Sequence, residues 1–184
     1  YDVKCSRKLV DVIREKGGEP TISATGHSLV KAKLRQTNAP LAGEMSGHIF
    51  FNDERWFGFD DGLYAALRLL EILSHSDAPS ETLSKLPSAV NTPELQIPTA
   101  EGENKRFIER LRNEARFPDA KDVIRVDGLR VEWEDGFALA RSSNTTPVVV
   151  VRLEGDTPEA LARIRSTFAA ALKAVDPAMA IPEH

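Results

Sequence analysis

The sequence predicts two domains, an α/β unit followed by an α+β unit, and three observations lead there. Helical periodicities alternate with short apolar runs over the first 75 or so residues, the pattern of an α/β unit with parallel strands. Four of the chain's eleven prolines (Pro79, Pro87, Pro93 and Pro98) then fall between residues 76 and 99. Proline removes a backbone donor and drives the preceding residue toward extended geometry, so a boundary is expected near residues 88–92. Beyond it, period-two alternation is framed by two amphipathic helices, the pattern of an antiparallel sheet with helices on one side. The predicted domains are residues 1–88 and 92–184.

The elements follow in order. "SRKLVDVIREKGGEP" reads as a helix: Leu9, Val10 and Ile13 share a face, Ser6 caps the start and Gly17-Gly18 ends it. "EPTISAT" is a short strand candidate. "TGHSLVKAKLRQ" is a tight turn at Gly26 feeding a second helix, whose Lys31, Lys33 and Arg35 form a solvated face. "APLAGEMSGHIFF" is strand, loop, strand. "DDGLYAALRLLEILSHS" is a helix on which Leu63, Leu67, Leu70 and Leu73 fall on one 3.6-residue stripe. The remainder reads β-α-β-β-β-α. Phe107, Ile108 and Leu111 mark the inner face of its first helix, and "DVIRVDGLRVEWEDGFALAR" alternates with turns at Asp127-Gly128 and Asp135-Gly136. "PVVVVRLEG" is a buried strand. In the final helix Thr157 is the N-cap and Pro158 is N1, with Leu161, Ile164, Phe168, Leu172 and Val175 facing a core.

Composition narrows the function classes. Apolar residues make up 41% of the chain and charged residues 28%, as in soluble globular proteins. Mean hydropathy is −0.30 and no apolar run approaches the ~18 residues of a membrane span. No apolar signal segment opens the sequence. The single Cys5 has no internal disulfide partner, which suits a reducing, cytoplasmic setting. A net charge of −4 argues against nucleic acid or an anionic membrane as partner.

Two loops concentrate chemistry. "AGEMSGHIFF" presents a carboxylate (Glu44), a hydroxyl (Ser46) and an imidazole (His48) on a glycine-bracketed loop that runs straight into an apolar strand. A carboxylate accepts two hydrogen bonds in one plane, which suits vicinal sugar hydroxyls, while imidazole titrates near neutrality beside an anion. Polar caps on neighbouring strand ends account for the same residues equally well. Glu44 and His48 have the i,i+4 spacing of a metal pair, but Gly43 and Gly47 argue against the helix such a pair needs. In "ARSSNTTP", Arg141, Ser142, Ser143, Asn144, Thr145 and Thr146 place a guanidinium, an amide and four hydroxyls on six consecutive positions. That donor density suits a phosphate. On composition alone, a polar hairpin turn capped by Pro147 is the stronger reading.

Taken together, "DVKCS", "TGHS", "GEMSGHIFF" and "RSSNTTP" resemble the bacterial phosphomannomutase/phosphoglucomutase proteins of the α-D-phosphohexomutase superfamily, over essentially the whole chain. The resemblance covers the last two of that family's four domains. It implies most of the third, an α/β domain without its first strand, and all of the fourth, a TATA-binding-protein-like α+β fold. The family's phosphoserine loop and its DGDGDR magnesium loop have no counterpart here, so no catalytic nucleophile and no metal ligand is assigned to this chain. The resemblance implies that Glu44 and Ser46 contact the sugar O3 and O4, which glucose and mannose share. His48 lies near the reacting phosphate, with Met45, Gly47 and Ser142 contributing backbone. Lys4 and His27 are further phosphosugar contacts. On the residues alone, Lys4 reads as a solvated lysine at a helix start and His27 as a loop histidine bonded to backbone. Arg141, Ser143, Asn144 and Thr145 grip the non-reacting phosphate. The implied activity is interconversion of hexose 1- and 6-phosphates through a bisphosphorylated intermediate. Magnesium and a hexose 1,6-bisphosphate activator serve a full-length protein that is cytoplasmic and monomeric. The chain's implied partners are the phosphosugar and the family's first two domains. The alternative is a non-catalytic phosphosugar-binding module.

Overall fold

The computed structural model describes residues 1–183, which divide into two units, Tyr1–Ser88 and the residues from Ala89 onward. The first contains α1 (Lys8–Glu15), α2 (His27–Thr37), β1 (Leu41–Gly43), β2 (Ile49–Phe51), α3 (Gly62–Ser74) and α4 (Pro79–Ser84). The N-cap of α1 is Arg7, which makes no side-chain cap bond; Ser6, expected as the cap, lies one residue earlier and its Oγ accepts from Lys8 N at 3.2 Å. β1 and β2 pair antiparallel, Leu41 opposite Phe51. The small core of this unit is Val30, Leu34 and Phe50, with Ala39 and Ala42 packed against it.

Three expectations change here: β1 and β2 pair antiparallel where parallel strands were expected, because a short hairpin loop joins them, and two further elements differ. The "EPTISAT" strand contracts to one parallel bridge, Asp2 to Ser23, closed by Val3 N to Ser23 O at 3.0 Å and Ser23 N to Tyr1 O at 2.8 Å. Pro20 offers no donor on one side, and the chain turns into α2 on the other, so the ladder has no room to grow. The leucine stripe of α3 is solvent-facing: Leu63, Leu67 and Leu70 are 74%, 55% and 60% exposed. α3 is held instead by a different face. Tyr64 stacks on Trp56 at 3.9 Å, and the Arg68 guanidinium lies 4.3 Å from the Phe51 ring centre. Arg68 also pairs with Asp53 at 2.7 Å, and Arg55 forks onto Glu71. No element of the first unit covers the leucines. Pro79 opens α4, which the proline-rich composition concealed, because proline is compatible with N1.

The second unit runs β3 (Val90–Asn91), β4 (Leu95–Pro98), α5 (Glu103–Glu114), β5 (Asp122–Ile124), β6 (Leu129–Trp133), β7 (Gly136–Ser142), β8 (Val148–Gly155) and α6 (Pro158–Val175). All pairings are antiparallel. β5, β6, β7 and β8 follow one another across the sheet, and the far edge of β8 carries β3 at one end and β4 at the other. The alternating stretch yields three strands, β5 to β7, one more than the β-α-β-β-β-α reading allowed. Alternate residues Leu129, Val131, Trp133, Ala138, Ala140, Val149, Val151 and Leu153 face α5 and α6, meeting Phe107, Leu111, Ile164, Phe168 and Leu172. Thr157 Oγ1 accepts from Ala160 N at 3.2 Å, the N-cap its sequence position implied. The second hairpin turns at Glu134-Asp135, and Gly136 already pairs in β7, opposite Trp133. The other sheet face carries charge: Arg130 is 1% exposed, lies 3.7 Å from the Phe137 ring centre and pairs with Glu132 at 2.8 Å.

Candidate functional site

The "GEMSGH" segment forms the loop of the β1–β2 hairpin, closed by Glu44 N donating to His48 O at 2.8 Å and Gly47 N to Glu44 O at 3.0 Å. Gly47 has φ +94°, a conformation that side-chain-bearing residues rarely adopt, so this glycine makes the turn. Gly43 has ordinary geometry. The loop sorts its polar groups by depth. Glu44 is 7% exposed, whereas Ser46 and His48 stand at the surface. Glu44 Oε1 accepts from Gly26 N at 2.7 Å, which ties the hairpin to the turn before α2. His27 opens α2 next to that turn, and its ring centre lies 6.3 Å from that of His48. His48 Nδ1 is 2.8 Å from Asp60 Oδ2.

A second carboxylate binds these loops from beneath. Asp2 is fully buried. Its Oδ1 accepts from Met45 N at 3.2 Å and from the Cys5 thiol at 3.1 Å, and its Oδ2 accepts from Thr25 Oγ1 at 3.1 Å. Its own amide donates to Gly43 O at 3.2 Å. One side chain thus joins the "DVKCS", "TGHS" and "GEMSGH" segments. Lys4, two residues on, is 7% exposed and is not a solvated lysine. The structure therefore gathers His27, Glu44 and His48 into one cluster, with Ser46 at its exposed tip and Lys4 in the adjoining segment. A cavity of about 420 Å³ nearby is lined by Leu9, Ile13, Val30, Leu34 and Leu41. Glu44 also lines it, while neither imidazole nor Ser46 does.

The Asp2 network sets the chemistry of Cys5. Burial first, then the Asp2 charge and hydrogen bond, push its thiol up to about 12. Folded Cys5 therefore holds its proton where unfolded Cys5 has lost it. Its contribution to stability is intact below pH ~9 and shrinks as pH rises toward 12. Native protein at pH 8 is expected to resist thiol alkylation that urea-unfolded protein accepts. Between pH 8 and 10.5, denaturant titration should find wild type losing about 2 kcal/mol more than Cys5→Ser, which keeps a donor for Asp2 but does not ionise in this range. Equal pH slopes for the two proteins would contradict this account.

In the second unit Arg141 lies near the end of β7 and is 5% exposed, a built-in arginine and not a surface one. Its Nε donates to Asp127 Oδ2 at 2.9 Å, so its terminal NH2 groups are what it has to offer an anion. Gly128, at φ +79°, lets the preceding turn lie against β7: a Cβ there would sit 2.2 Å from Ala140 O and 2.7 Å from Arg141 Cα. The "SSNTTP" turn is ordered from within. Ser143 Oγ accepts from Thr146 Oγ1 at 2.9 Å and from the amides of Thr145 and Thr146, both at 3.3 Å. Ser142 is in strand, opposite Val149, and Asn144 and Thr145 are exposed. Buried Asn104 of α5 donates to Ser143 O and Thr146 O, both at 3.3 Å, and fastens the turn to the helix layer.

Four of these residues escaped the sequence reading. Asn104 left a trace, a polar residue on the same α5 face as Phe107, Ile108 and Leu111. Asp60 left one too: a helix needs one cap, and Asp61 Oδ1 supplies it to Tyr64 N at 2.9 Å, so the neighbouring aspartate is spare. Asp2 and Asp127 left none, since each looks locally satisfied. Among the described residues no group of three or more His, Cys, Asp or Glu side chains converges as a metal site.

Residues 1–90 match the family model described as phosphoglucomutase/phosphomannomutase, alpha/beta/alpha domain III, and residues 94–171 match that of the C-terminal domain. A phosphoglucomutase of Neisseria gonorrhoeae is 54% identical over 174 residues, 94% of this chain and 38% of the relative. A phosphomannomutase/phosphoglucomutase of Pseudomonas aeruginosa is 49% identical over 183 residues, 99% of this chain and 39% of the relative. The crystal structure of a phosphoglucomutase/phosphomannomutase family protein from Burkholderia thailandensis superposes with a TM-score of 0.92 at 59% identity, covering all of this chain and 38% of that one. The chain spans about two-fifths of the length of the curated relatives it matches.

Proposed function

Because the chain belongs to the phosphoglucomutase/phosphomannomutase family, matching its domain III and its C-terminal domain, we propose that it is the substrate-gripping part of a phosphohexomutase. That enzyme interconverts hexose 1- and 6-phosphates of glucose and mannose. One observation carries the reading: Glu44 is buried and anchored through one oxygen to Gly26 N, while Ser46 and two imidazoles stand beside it at the surface. A carboxylate held this way is aimed before the ligand arrives, and so loses little freedom on binding. In this reading Glu44 Oε2 and Ser46 Oγ bind O3 and O4 of the hexose. Those hydroxyls are common to both sugars, so one loop serves two substrates. His48, with His27 and Lys4, faces the reacting phosphate.

Arg141 and the Ser143, Asn144 and Thr145 turn take the non-reacting phosphate. A mutase must accept that group at C1 or C6, and adaptable donors suit two positions better than one rigid pocket does. A phosphoserine outside this chain supplies the phosphoryl group: its O–P bond breaks as a sugar O–P bond forms, and the sugar hydroxyl proton passes to a base. Magnesium and a hexose 1,6-bisphosphate activator belong to the longer protein, which by the same resemblance is a cytoplasmic monomer.

The direct test is phosphorus NMR of glucose 1-phosphate and mannose 1-phosphate incubated with the longer protein and with the 184-residue chain. The longer protein is expected to convert both sugars and the chain alone neither. Turnover by the chain alone would place the nucleophile inside it. A longer protein that binds but never converts would be a phosphosugar-binding module. Arg141→Ala in the longer protein should weaken glucose 1-phosphate binding by about 1.5–3 kcal/mol in calorimetry, the scale of a charge-assisted contact. Ser142→Ala, which alters only a side chain at a backbone-contributing position, should leave affinity unchanged. Equal affinities for Arg141→Ala and wild type would remove Arg141 from the phosphate site.

A further inference from the structure

We propose that Asp60 is a positioning residue that fixes the tautomer and direction of the His48 imidazole, an inference that rests on the reading of His48 as the group beside the reacting phosphate. His48 Nδ1 lies 2.8 Å from Asp60 Oδ2, the side chains being 48% and 28% exposed. A carboxylate oxygen accepts a hydrogen bond and does not donate one. The hydrogen bond therefore requires the proton on Nδ1, and Nε2 becomes the nitrogen that exchanges a proton with a ligand.

Many surface His–Asp pairs are incidental, but both backbones are held here. Asp60 forms an antiparallel bridge with Phe50, in the strand that begins one residue after His48. Gly58 N donates to Phe51 O at 2.7 Å and keeps the returning loop against that strand. On the other side of Asp60, Asp61 caps α3. His48 is set by the Glu44 N to His48 O hydrogen bond of the hairpin loop. Neither residue has to be ordered by the other, so the contact contributes orientation at little entropic cost. Asp60 and Asp61 thus divide their labour, one aiming an imidazole and the other starting a helix. His27, whose ring centre is 6.3 Å from that of His48, belongs to another element and leaves the Asp60 contact unchallenged.

The assignment is tested in the 184-residue chain itself by long-range proton–nitrogen NMR of His48 at alkaline pH, where imidazole is neutral. Wild type is expected to show Nδ1 protonated and Nε2 bare. Asp60→Ala should shift His48 toward protonation at Nε2. Asp60→Asn, whose amide oxygen still accepts from Nδ1–H, should keep the wild-type pattern and guards against a mere folding defect. In the longer protein, Asp60→Ala should lower kcat for glucose 1-phosphate roughly ten-fold or more with KM nearly unchanged, and Asp60→Asn should recover most of the loss. An Nε2–H tautomer in wild type, a His48 spectrum indifferent to Asp60→Ala, or a loss confined to KM would each overturn the proposal. Absence of mutase turnover in the wild-type longer protein would instead overturn the functional reading, while the tautomer measurement would still decide the role of Asp60.

Discussion

Glu44→Ala in the longer protein should cut kcat/KM for glucose 1-phosphate and mannose 1-phosphate by a similar factor, corresponding to about 2–4 kcal/mol of lost transition-state binding. Two losses combine. The first is the proposed charge-assisted contact between Oε2 and the sugar hydroxyls. The second is local: Gly26 N loses the oxygen it meets at 2.7 Å, so the hairpin loop and the turn before α2 keep only the link through Asp2. Glu44→Gln separates them. Its amide oxygen still accepts from Gly26 N, so the loops should stay joined, while the charge is gone and one acceptor becomes a donor. Its activity should fall between wild type and Glu44→Ala. Steady-state kinetics on both sugars decides the matter. A large loss on one sugar alone would mean that Glu44 reads C2, where glucose and mannose differ, and the shared-hydroxyl account would be wrong.

Asp2→Ala is expected to cost the first unit about 3 kcal/mol of stability. The substitution strands the Met45 amide, the Thr25 hydroxyl and the Cys5 thiol around a buried space, and unmet buried donors cost about 1–3 kcal/mol each. Asp2→Asn should cost roughly half as much, because its carbonyl oxygen still accepts and the Thr25 hydroxyl is free to rotate toward the new amide. Urea titration followed by Trp56 fluorescence in a Trp133→Phe background reports the first unit, since the other tryptophan lies in the second. Removing the Asp2 charge should also bring the Cys5 thiol down from about 12, since that charge adds to burial in raising it, so alkylation of native protein speeds up. Unchanged Met45 amide exchange in Asp2→Ala would show that the carboxylate does not hold the loop.

Much of the second unit was legible because its signals are local. Period-two alternation from Leu129 to Ala140, Thr157-Pro158 at a helix start, and Phe107, Ile108 and Leu111 at helical spacing each follow from side chains a few residues apart. The turn at Glu134-Asp135 was misplaced by one residue, because Asp-Gly is a strong turn signal while Gly136 serves the close approach to β8. The first unit was harder. Periodicity placed Leu63, Leu67 and Leu70 on one stripe but carries no information about which face meets a partner. That choice lay with the stack of Tyr64 on Trp56 and the reach of Arg68 to Asp53.

The candidate site divides in the same way. By itself the sequence determined most of the elements, the two loops and the residue types they present, because turn chemistry and hydrogen-bonding inventory are properties of neighbouring residues. Only the tertiary structure decided which of those groups are anchored. Asp2 meets Met45, Glu44 meets Gly26, Asn104 meets Ser143 and Arg141 meets Asp127 across 14 to 43 positions of chain. A carboxylate has the same identity in solvent as in a network of three buried donors, and its surroundings are set by distant segments whose packing no local pattern encodes.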